Sequence, residues 1–297
     1  MNRLENYIKN PKVFANVVLN HISPIFPTKF YLQLKYWVNN GKWLDLDNPQ
    51  TFNEKLNWLK IHNHNPKLTI MADKYAVKEF VSKIIDSKYV VPCYGIWNNF
   101  EAIDFDNLKT PCVIKTTHDS NGVVVVREVT EAKKQEIRKT VNKALNRSFY
   151  NTSREWPYKN IPHRIIADQF LDDGRAGELQ DYKFWCFNGE PKVMYMTNKG
   201  TNIYENFYDM DFNVLDINHG FPRVSPEYAK PAAFEEMKVL AAKLSKGLPF
   251  VRVDFFYVQG KVYFGEYTFF DWAGMWPFAN LEWDRRLGSW IDLSLIK

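Results

Sequence analysis

VRVDFFYVQGKVYFGEYTFF, residues 251–270, reads as two short strands rich in valine, phenylalanine and tyrosine, joined at Gln259-Gly260, with one carboxylate in each, Asp254 and Glu266. An unpaired charge in a half-buried strand costs several kcal/mol. Each acid must therefore face water, pair with a cation such as Arg252, or hold a metal. Side chains alternate between the faces of a strand, so the length of the turn decides whether the two acids meet. A two-residue turn sets Asp254 opposite Gly265 and sends Glu266 to the other face. A three-residue turn over Val258-Gln259-Gly260, with Gly260 left-handed and a bulge beside it, pairs Tyr257 with Lys261 and places Arg252 opposite Glu266. Then Arg252, Asp254, Phe264 and Glu266 share one face. Such a face suits Mg2+, which is commonly held by carboxylates and substrate phosphates; an ion-pair network centred on Arg252 suits it equally. If the acids act together, the turn is expected to have an odd length.

Away from this hairpin the chain passes from helical to strand-like texture. Up to about residue 70 the spacing is helical, with Phe14, Val17, Val18 and Ile22 on one stripe and Phe30, Leu32, Leu34, Trp37 and Val38 on another. Pro24 and Pro27 break it between them. In NPQTFNEKLNWLK, Thr51 is the N-cap, Glu54 completes a capping box, and Phe52, Leu56 and Leu59, with Trp58 beside them, face inward. MADKYAVKEFVSKII reads as a helix beginning near Asp73, and YVVPCYGIW as a short strand with a proline at its edge. PCVIKTTHDSNGVVVVREV is strand, loop, strand, and TEAKKQEIRKTVNKALNR a helix capped by Thr130, with Glu131 in its first turn and Arg147 near its end. HRIIADQFL and DYKFWCFNGEPKVMYMTNK supply three more strands, the last two a hairpin about Asn188-Gly189. SPEYAKPAAFEEMKVLAAKLSKGLP is a helix ending at Gly247. A helix-rich first quarter followed by strands with helices between them predicts an α+β fold.

With 297 residues, 45% hydrophobic and 25% charged, the chain has a globular composition and length for a large core in one or two domains. Its net charge of +5 is spread along the chain, which suits a small anionic ligand as well as a nucleic acid. No RNP-like, KH or helix-turn-helix pattern supports nucleic acid. The 10 Trp, 16 Tyr and 22 Phe point first to a large core and second to ring stacking on a ligand. Cys93, Cys112 and Cys186 are odd in number, widely spaced and outside any CxxC pair, so they read as buried thiols in a reducing compartment. The start MNRLENYIKNPK is too polar for a signal peptide and no apolar run spans a bilayer, so a cytoplasmic location is expected. VFANVVLNHISPIFPTKFYLQLKYWV is expected to pack on the rest of the protein, with an amphipathic contact to a membrane face or a partner as the alternative.

Two further places collect polar groups. Lys115 closes the apolar strand Cys112-Val113-Ile114 just before TTHDSNG, where a lysine and backbone N–H groups together suit phosphate oxygens. GxxxxGK(S/T) is absent, and a surface lysine at a strand end is the commoner explanation. Asp73-Lys74 stands at a helix start, where Asp73 explains itself as N-cap and Lys74 gains meaning only if it points at the same anion as Lys115.

In order and character these elements resemble the ATP-grasp superfamily, in which DK at a helix start, a VIK strand before a small-residue loop, a hinge strand for adenine, and an RxD strand followed by an acidic strand succeed one another. Here they read Asp73-Lys74, Val113-Ile114-Lys115, Ala167-Asp168-Gln169-Phe170-Leu171, Arg252-Val253-Asp254 and Glu266-Tyr267-Thr268. More closely, TFNEKLNWLK, ADKYAVKEFV, IKTTHDSNG, REWPYKNIPHRIIADQFL, DYKFWCFNGEPKVMY and VRVDFFYVQGKVYFGEYTFF resemble the TupA-like ATP-grasp proteins of bacterial surface-polysaccharide biosynthesis, over roughly residues 45–290. Asn121 departs from the pattern by standing where glycine is usual, and Thr268 where many ATP-grasp enzymes carry an asparagine metal ligand. A helical segment replaces the Rossmann-like leading domain of many relatives.

The resemblance implies an ATP-grasp fold, two α+β subdomains clasping ATP, with a helical segment over 1–70, a first subdomain over 71–170 and a second over 171–297. It implies an ATP- and Mg2+-dependent carboxylate–amine ligase. Lys74 and Lys115 are implied to neutralise ATP phosphates, and the loop with His118, Ser120, Asn121 and Gly122 to cover them. Asp168, Gln169, Phe170 and Leu171 are the implied adenine hinge, acting through backbone groups, and Lys183 a further nucleotide contact. Asp254, Glu266 and Thr268 are the implied metal ligands. Arg252 and Lys115 are the implied catalytic groups, Arg252 by stabilising an oxyanion. Arg154, Trp156 and Lys159 in SREWPYK are implied to close over substrate, with Trp156 and Tyr158 stacking on a sugar; a purely structural loop is the alternative. The implied substrates are a uronic acid of a capsule, O-antigen or related polysaccharide, or its precursor, and an amino acid or small amine. A phosphotransferase with the same nucleotide site is one rival, and a glycosyltransferase using Asp209-x-Asp211 in YDMDF a remoter one.

Overall fold

Proline and glycine set the limits of the first helices. α1 (Pro11–Ile22) stops at a tight turn containing Pro24, and α2 (Thr28–Asn40) starts after Pro27 and ends on Gly41, which takes the left-handed conformation at φ 71°. The computed structural model describes residues 11–120, 122–172, 174, 179–197, 204–225 and 227–296. In α3 (Phe52–His62) the capping box forms as expected: the Thr51 hydroxyl accepts from the Glu54 N–H, and the Glu54 carboxylate from the Thr51 N–H. α4 (Lys67–Ala72) is too short to show a period in sequence. α5 (Ala76–Ile85) follows, and Asp73 Oδ1 accepts the N–H groups of Tyr75 and Ala76 at 2.8 and 3.2 Å where it begins.

Two antiparallel sheets come next. β1 (Cys93–Trp97), β2 (Cys112–Thr116), β3 (Val123–Val126) and β4 (Ile165–Gln169) form one, in the order β1-β4-β2-β3. Between β3 and β4 run α6 (Glu131–Leu145), capped by Thr130, and α7 (Phe149–Ser153). β5 (Asp181–Phe187), β6 (Glu190–Thr197), β7 (Glu205–Tyr208), β8 (Val214–Leu215), β9 (Phe250–Val258) and β10 (Lys261–Thr268) form the other, in the order β10-β9-β5-β6-β7-β8. α8 (Phe234–Ser245) starts only after Pro231, later than the apolar pattern suggests, because a residue preceding proline is held out of the helical region. α9 (Leu281–Ser289) packs against the start of α3.

Ile137 and Val141 of α6 cover the smaller sheet at Cys112, Ile114, Val124 and Val126. The larger core joins Trp185, Phe187, Phe250 and Phe255 of the six-stranded sheet to Phe52, Leu56, Leu68, Met71, Val77 and Val81 of α3, α4 and α5. The helices before β1 thus pack with the sheet that comes last in the chain.

The turn of the β9–β10 hairpin has two residues and not three. Val258 pairs with Lys261, while Gln259 and Gly260 take φ of 50° and 77°, the doubly left-handed pair that a tight hairpin requires. The odd residue lies inside β10: Phe264 pairs with Phe255 but Tyr267 with Val253, so a bulge at Gly265-Glu266 shifts the phase by one. The expected partners are corrected accordingly, Tyr257 lying opposite Val262 and Arg252 opposite Thr268. Glu266 nevertheless returns to the face of Arg252 and Asp254. Gly265 makes the bulge fit, because a Cβ there would lie 3.1 Å from the Asp254 carbonyl oxygen and 3.3 Å from the Phe256 ring.

Candidate active site

β9 projects Arg252 and Asp254 from one face, two residues apart. The guanidinium grips the carboxylate at both oxygens, Nε to Oδ1 and Nη2 to Oδ2, each at 2.7 Å. Nη1 donates to the Tyr195 hydroxyl at 3.1 Å and to Asp271, and Nη2 also reaches Glu266 Oε1 at 3.3 Å. Lys183 lies across from Asp254 on β5, and its ammonium donates to Asp254 Oδ2 at 2.8 Å and pairs with Asp181 at 3.1 Å. The ion-pair network that the sequence left open is therefore present. Burial works against the charge of Asp254, but Arg252 and Lys183 outweigh it and hold the carboxyl below its ordinary range. Burial also opposes the Lys183 charge; Asp254, helped by Asp181, overcomes this and raises it above an ordinary lysine. Glu266 stands apart in being 48% exposed, against 4% for the Asp254 side chain.

On the smaller sheet, Lys115 pairs with Asp168 at 2.8 Å, and Lys78 from α5 pairs with the other oxygen at 3.0 Å. Asp168 is buried, so its side chain anchors two lysines. The Gln169 N–H goes to the Pro92 carbonyl at 2.9 Å and the Phe170 N–H to that of Pro111 at 3.4 Å. Among the described residues, the Leu171 N–H has no hydrogen-bond partner. Lys74 ties the start of α5 to the loop after β2, its N–H donating to the Thr117 carbonyl at 3.1 Å. Its ammonium has no ion-pair partner among the described residues. Burial holds Lys74 below the usual lysine value, opposed by Glu266, with Lys115 pushing further down and Asp119 and Asp73 pulling up. Charges from α5, β2, the following loop and β10 thus act on one place.

Other expected site residues are engaged elsewhere. His118 is buried; its Nε2 lies 3.1 Å from the Ala144 carbonyl, and its ring stacks on His163 at 3.5 Å. Ser120 is exposed, and its N–H donates to Asp119, which Arg147 holds at 2.9 Å. Gly122 serves close packing, since a Cβ there would lie 2.7 Å from the Ala144 Cβ and 2.8 Å from Thr116 Oγ1. Asn121 lies outside the described residues. Arg154 is buried against the N-terminal segment: it donates to the Ser23 and Phe26 carbonyls and lies over the rings of Tyr31 and Tyr150. Trp156 stacks on His64 at 5.3 Å, and Lys159 is exposed beside the Tyr150 ring. Asp209 spends its carboxylate on its own turn, accepting from the N–H groups of Asp211 and Asn213 at 2.9 and 2.8 Å, which leaves Asp209-x-Asp211 as turn chemistry.

Several neighbours of Arg252 escape a reading by motif. Asp271 accepts from the Trp185 indole at 3.1 Å and the Tyr195 hydroxyl at 3.1 Å as well as from Arg252. Burial pushes the Glu155 carboxyl up, against the pull of Lys60, Lys35 and Arg252, and pushes the Lys60 ammonium down. Burial likewise raises the Tyr158 hydroxyl, reinforced by Glu155 and Glu266. Two signals were available: Lys78 stands one helical turn after Lys74, and Asp271 is a lone acid closing the apolar run Phe269-Phe270.

No group of three or more His, Cys, Asp or Glu side chains is placed to hold a metal among the described residues. Asp254, Glu266 and the Thr268 hydroxyl do offer hard oxygen donors on one face, with Asp254 held ionised. This donor set fits Mg2+, which completes its shell with water and phosphate oxygens.

A family model, TupA-like ATPgrasp, matches residues 54–292. A search of curated protein sequences finds no match. Among solved structures the chain is similar to D-alanine-D-alanine ligase from Helicobacter pylori, at 14% identity and a TM-score of 0.43, over 82% of this chain and 70% of that one. It is similar to D-alanine-D-alanine ligase from Bacillus anthracis complexed with ATP, at 15% and 0.41, over 67% and 55%. The corresponding values for N5-carboxyaminoimidazole ribonucleotide synthetase from Thermus thermophilus are 13% and 0.40, over 67% and 45%. Against the last two, the chain spans about half of their length. Those likenesses are distant, but the family match over residues 54–292 takes in most of α3, Lys74, Lys115 and the acidic hairpin, and the chain belongs to the TupA-like ATPgrasp family.

Proposed function

We propose that the protein is an ATP-dependent carboxylate–amine ligase that joins an amino acid or small amine to a uronic acid of a surface polysaccharide or its precursor. The observation that carries this reading is the convergence of Lys74, Lys115 and Glu266 beside the Arg252–Asp254–Lys183 network. Lys74, with no ion-pair partner of its own among the described residues, meets the ATP phosphates together with Lys115 and Lys183. The Leu171 N–H serves the adenine edge. Asp254, Glu266 and Thr268 hold Mg2+, which when bound neutralises charge on the transferring phosphoryl group. An oxygen of the acid attacks the γ-phosphorus, ADP leaves and an acyl phosphate forms. The amine nitrogen then attacks the acyl carbon, phosphate leaves, and the nitrogen gives up a proton to complete the amide. Arg252 Nη2 stays on Asp254 at 2.7 Å, and its longer bond, 3.3 Å to the exposed Glu266, is the one it gives up to meet the oxyanion of this second step. Exposed Val13, Val18, Ile22, Ile25 and Trp37 support a peripheral contact of the N-terminal segment with a membrane face or a polysaccharide-assembly partner; no helix among the described residues is long and apolar enough to cross a membrane.

Hydroxylamine, which converts an acyl phosphate to a hydroxamate, tests the chemistry. A panel of uronic acids with ATP, Mg2+ and hydroxylamine is expected to give ADP and hydroxamate together. ADP with a stable phosphate ester and no hydroxamate makes the protein a phosphotransferase, and no acid-dependent ADP refutes both readings.

A further inference from the structure

The chain turns sharply after β10. Trp272 and Ala273 both take left-handed backbone angles, φ 46° and 55°, and Gly274 follows at 58°. Two consecutive non-glycine residues in that region are strained, and such a form persists only where its surroundings over-determine it. Here four successive carbonyls are each taken by a side chain from the N-terminal helices. Lys60 donates to Ala273 at 2.7 Å, Asn57 to Gly274 at 2.7 Å, Asn40 to Met275 at 3.0 Å and Asn53 to Trp276 at 2.8 Å. Asn53, Asn57 and Lys60 are four and three residues apart, on one face of α3, and all three are at most 2% exposed. The fit is close, since a Cβ on Gly274 would lie 2.9 Å from Asn57 Nδ2 and 3.0 Å from the Leu56 Cβ. The same turn begins with Asp271, the partner of Arg252.

We propose that Asn53, Asn57 and Lys60 of α3, with Asn40 of α2, are positioning residues that hold the 271–276 turn in its strained form and, through Asp271, aim Arg252. The functional part of this proposal rests on the role given to Arg252 in the ligase reading. A helix that merely packed would present apolar groups. This one buries three polar side chains, and Asn57 Oδ1 is left without a partner among the described residues, a cost that apolar packing would avoid.

Hydrogen exchange by mass spectrometry on the full chain tests the clamp without turnover. Leucine keeps the branched skeleton of asparagine and removes the unpartnered oxygen, but its methyl groups are bulkier, so Asn57→Leu is read only together with Lys60→Met, which adds no bulk; a packing role leaves Lys60→Met with unchanged or slower exchange over 270–277. The clamp instead requires at least tenfold faster exchange there, with β5 still protected, in Asn57→Leu and Lys60→Met alike. If Asn57→Leu fails to fold, the half-buried Asn40→Ala is read in the same way. With ATP, Mg2+, a uronic acid and hydroxylamine, kcat for hydroxamate formation falls while the ATP KM stays within twofold, and Asn57→Leu/Asp271→Asn is no slower than Asp271→Asn alone. Unchanged exchange, or multiplicative losses in the double variant, overturns the proposal. Arg252→Lys serves as the control: if it forms hydroxamate at the native rate, the role given to Arg252 fails, while the exchange result still decides the clamp.

Discussion

Asp254→Asn and Glu266→Gln remove the same charge from the same face, yet their costs to the fold should differ widely. Asp254 is 3% exposed and holds Arg252 at two oxygens and Lys183 at one. Neutralising it leaves two buried cations short of a partner, and breaking a buried pair in this way costs about 3–5 kcal/mol. Glu266 is half-exposed and meets Arg252 by one contact of 3.3 Å, a pair worth roughly 0–1 kcal/mol in water. At about 2–4 °C per kcal/mol, the midpoint falls by roughly 6–20 °C for Asp254→Asn and by less than about 4 °C for Glu266→Gln. Thermal unfolding followed by circular dichroism reads the difference, and an acid-dependent ADP assay reads the chemistry. Both variants are expected to abolish ADP formation. Equal losses of midpoint, or an active Glu266→Gln, would refute the assignment of one structural and one solvent-facing acid to the metal site.

Lys74→Met should weaken binding of a non-hydrolysable ATP analogue at neutral pH. Because burial lowers the native pKa of Lys74, the unfolded chain binds more protons in the window between the lowered and ordinary values; stability therefore rises with pH across that window while ATP affinity falls. Calorimetric titration from neutral to alkaline pH should show that fall in the wild type and a flatter profile in Lys74→Met; identical profiles count against a phosphate-binding Lys74. Gly265→Val should cost about 1–3 kcal/mol through overpacking at the bulge and detach Glu266 from Arg252, so a variant with native midpoint and native ADP release would show that the bulge does not depend on glycine.

Local chemistry was legible wherever it closes on itself. The Thr51–Glu54 capping box, the Thr130 cap and the Asn188-Gly189 turn need only residues within four positions of one another, and each stands where its pattern puts it. The bulge was not legible, because Gly265 matters for its closeness to the Asp254 carbonyl on the neighbouring strand. Direction was also hidden. His118 and Arg154 sit in loops whose composition suits anion binding, yet one turns to α6 and His163 and the other to the carbonyls of Ser23 and Phe26. The inward stripe Phe52, Leu56 and Leu59 gave no role to Asn53, Asn57 and Lys60, since nothing nearby in sequence announces the three carbonyls that reach them from over two hundred residues later.

Because the change of phase lies within β10, the hairpin separates two properties that usually travel together. Gln259-Gly260 sets only where the chain reverses, whereas Gly265-Glu266 sets which acids meet. Residues added at the tip leave the pairing from Val258 and Lys261 onward as it is, which makes the tip a neutral port for a fluorophore or spin label. Gln259 donates to the Asp172 carbonyl at 3.2 Å, so a probe there would sit beside the chain leaving β4, with the acidic pair untouched.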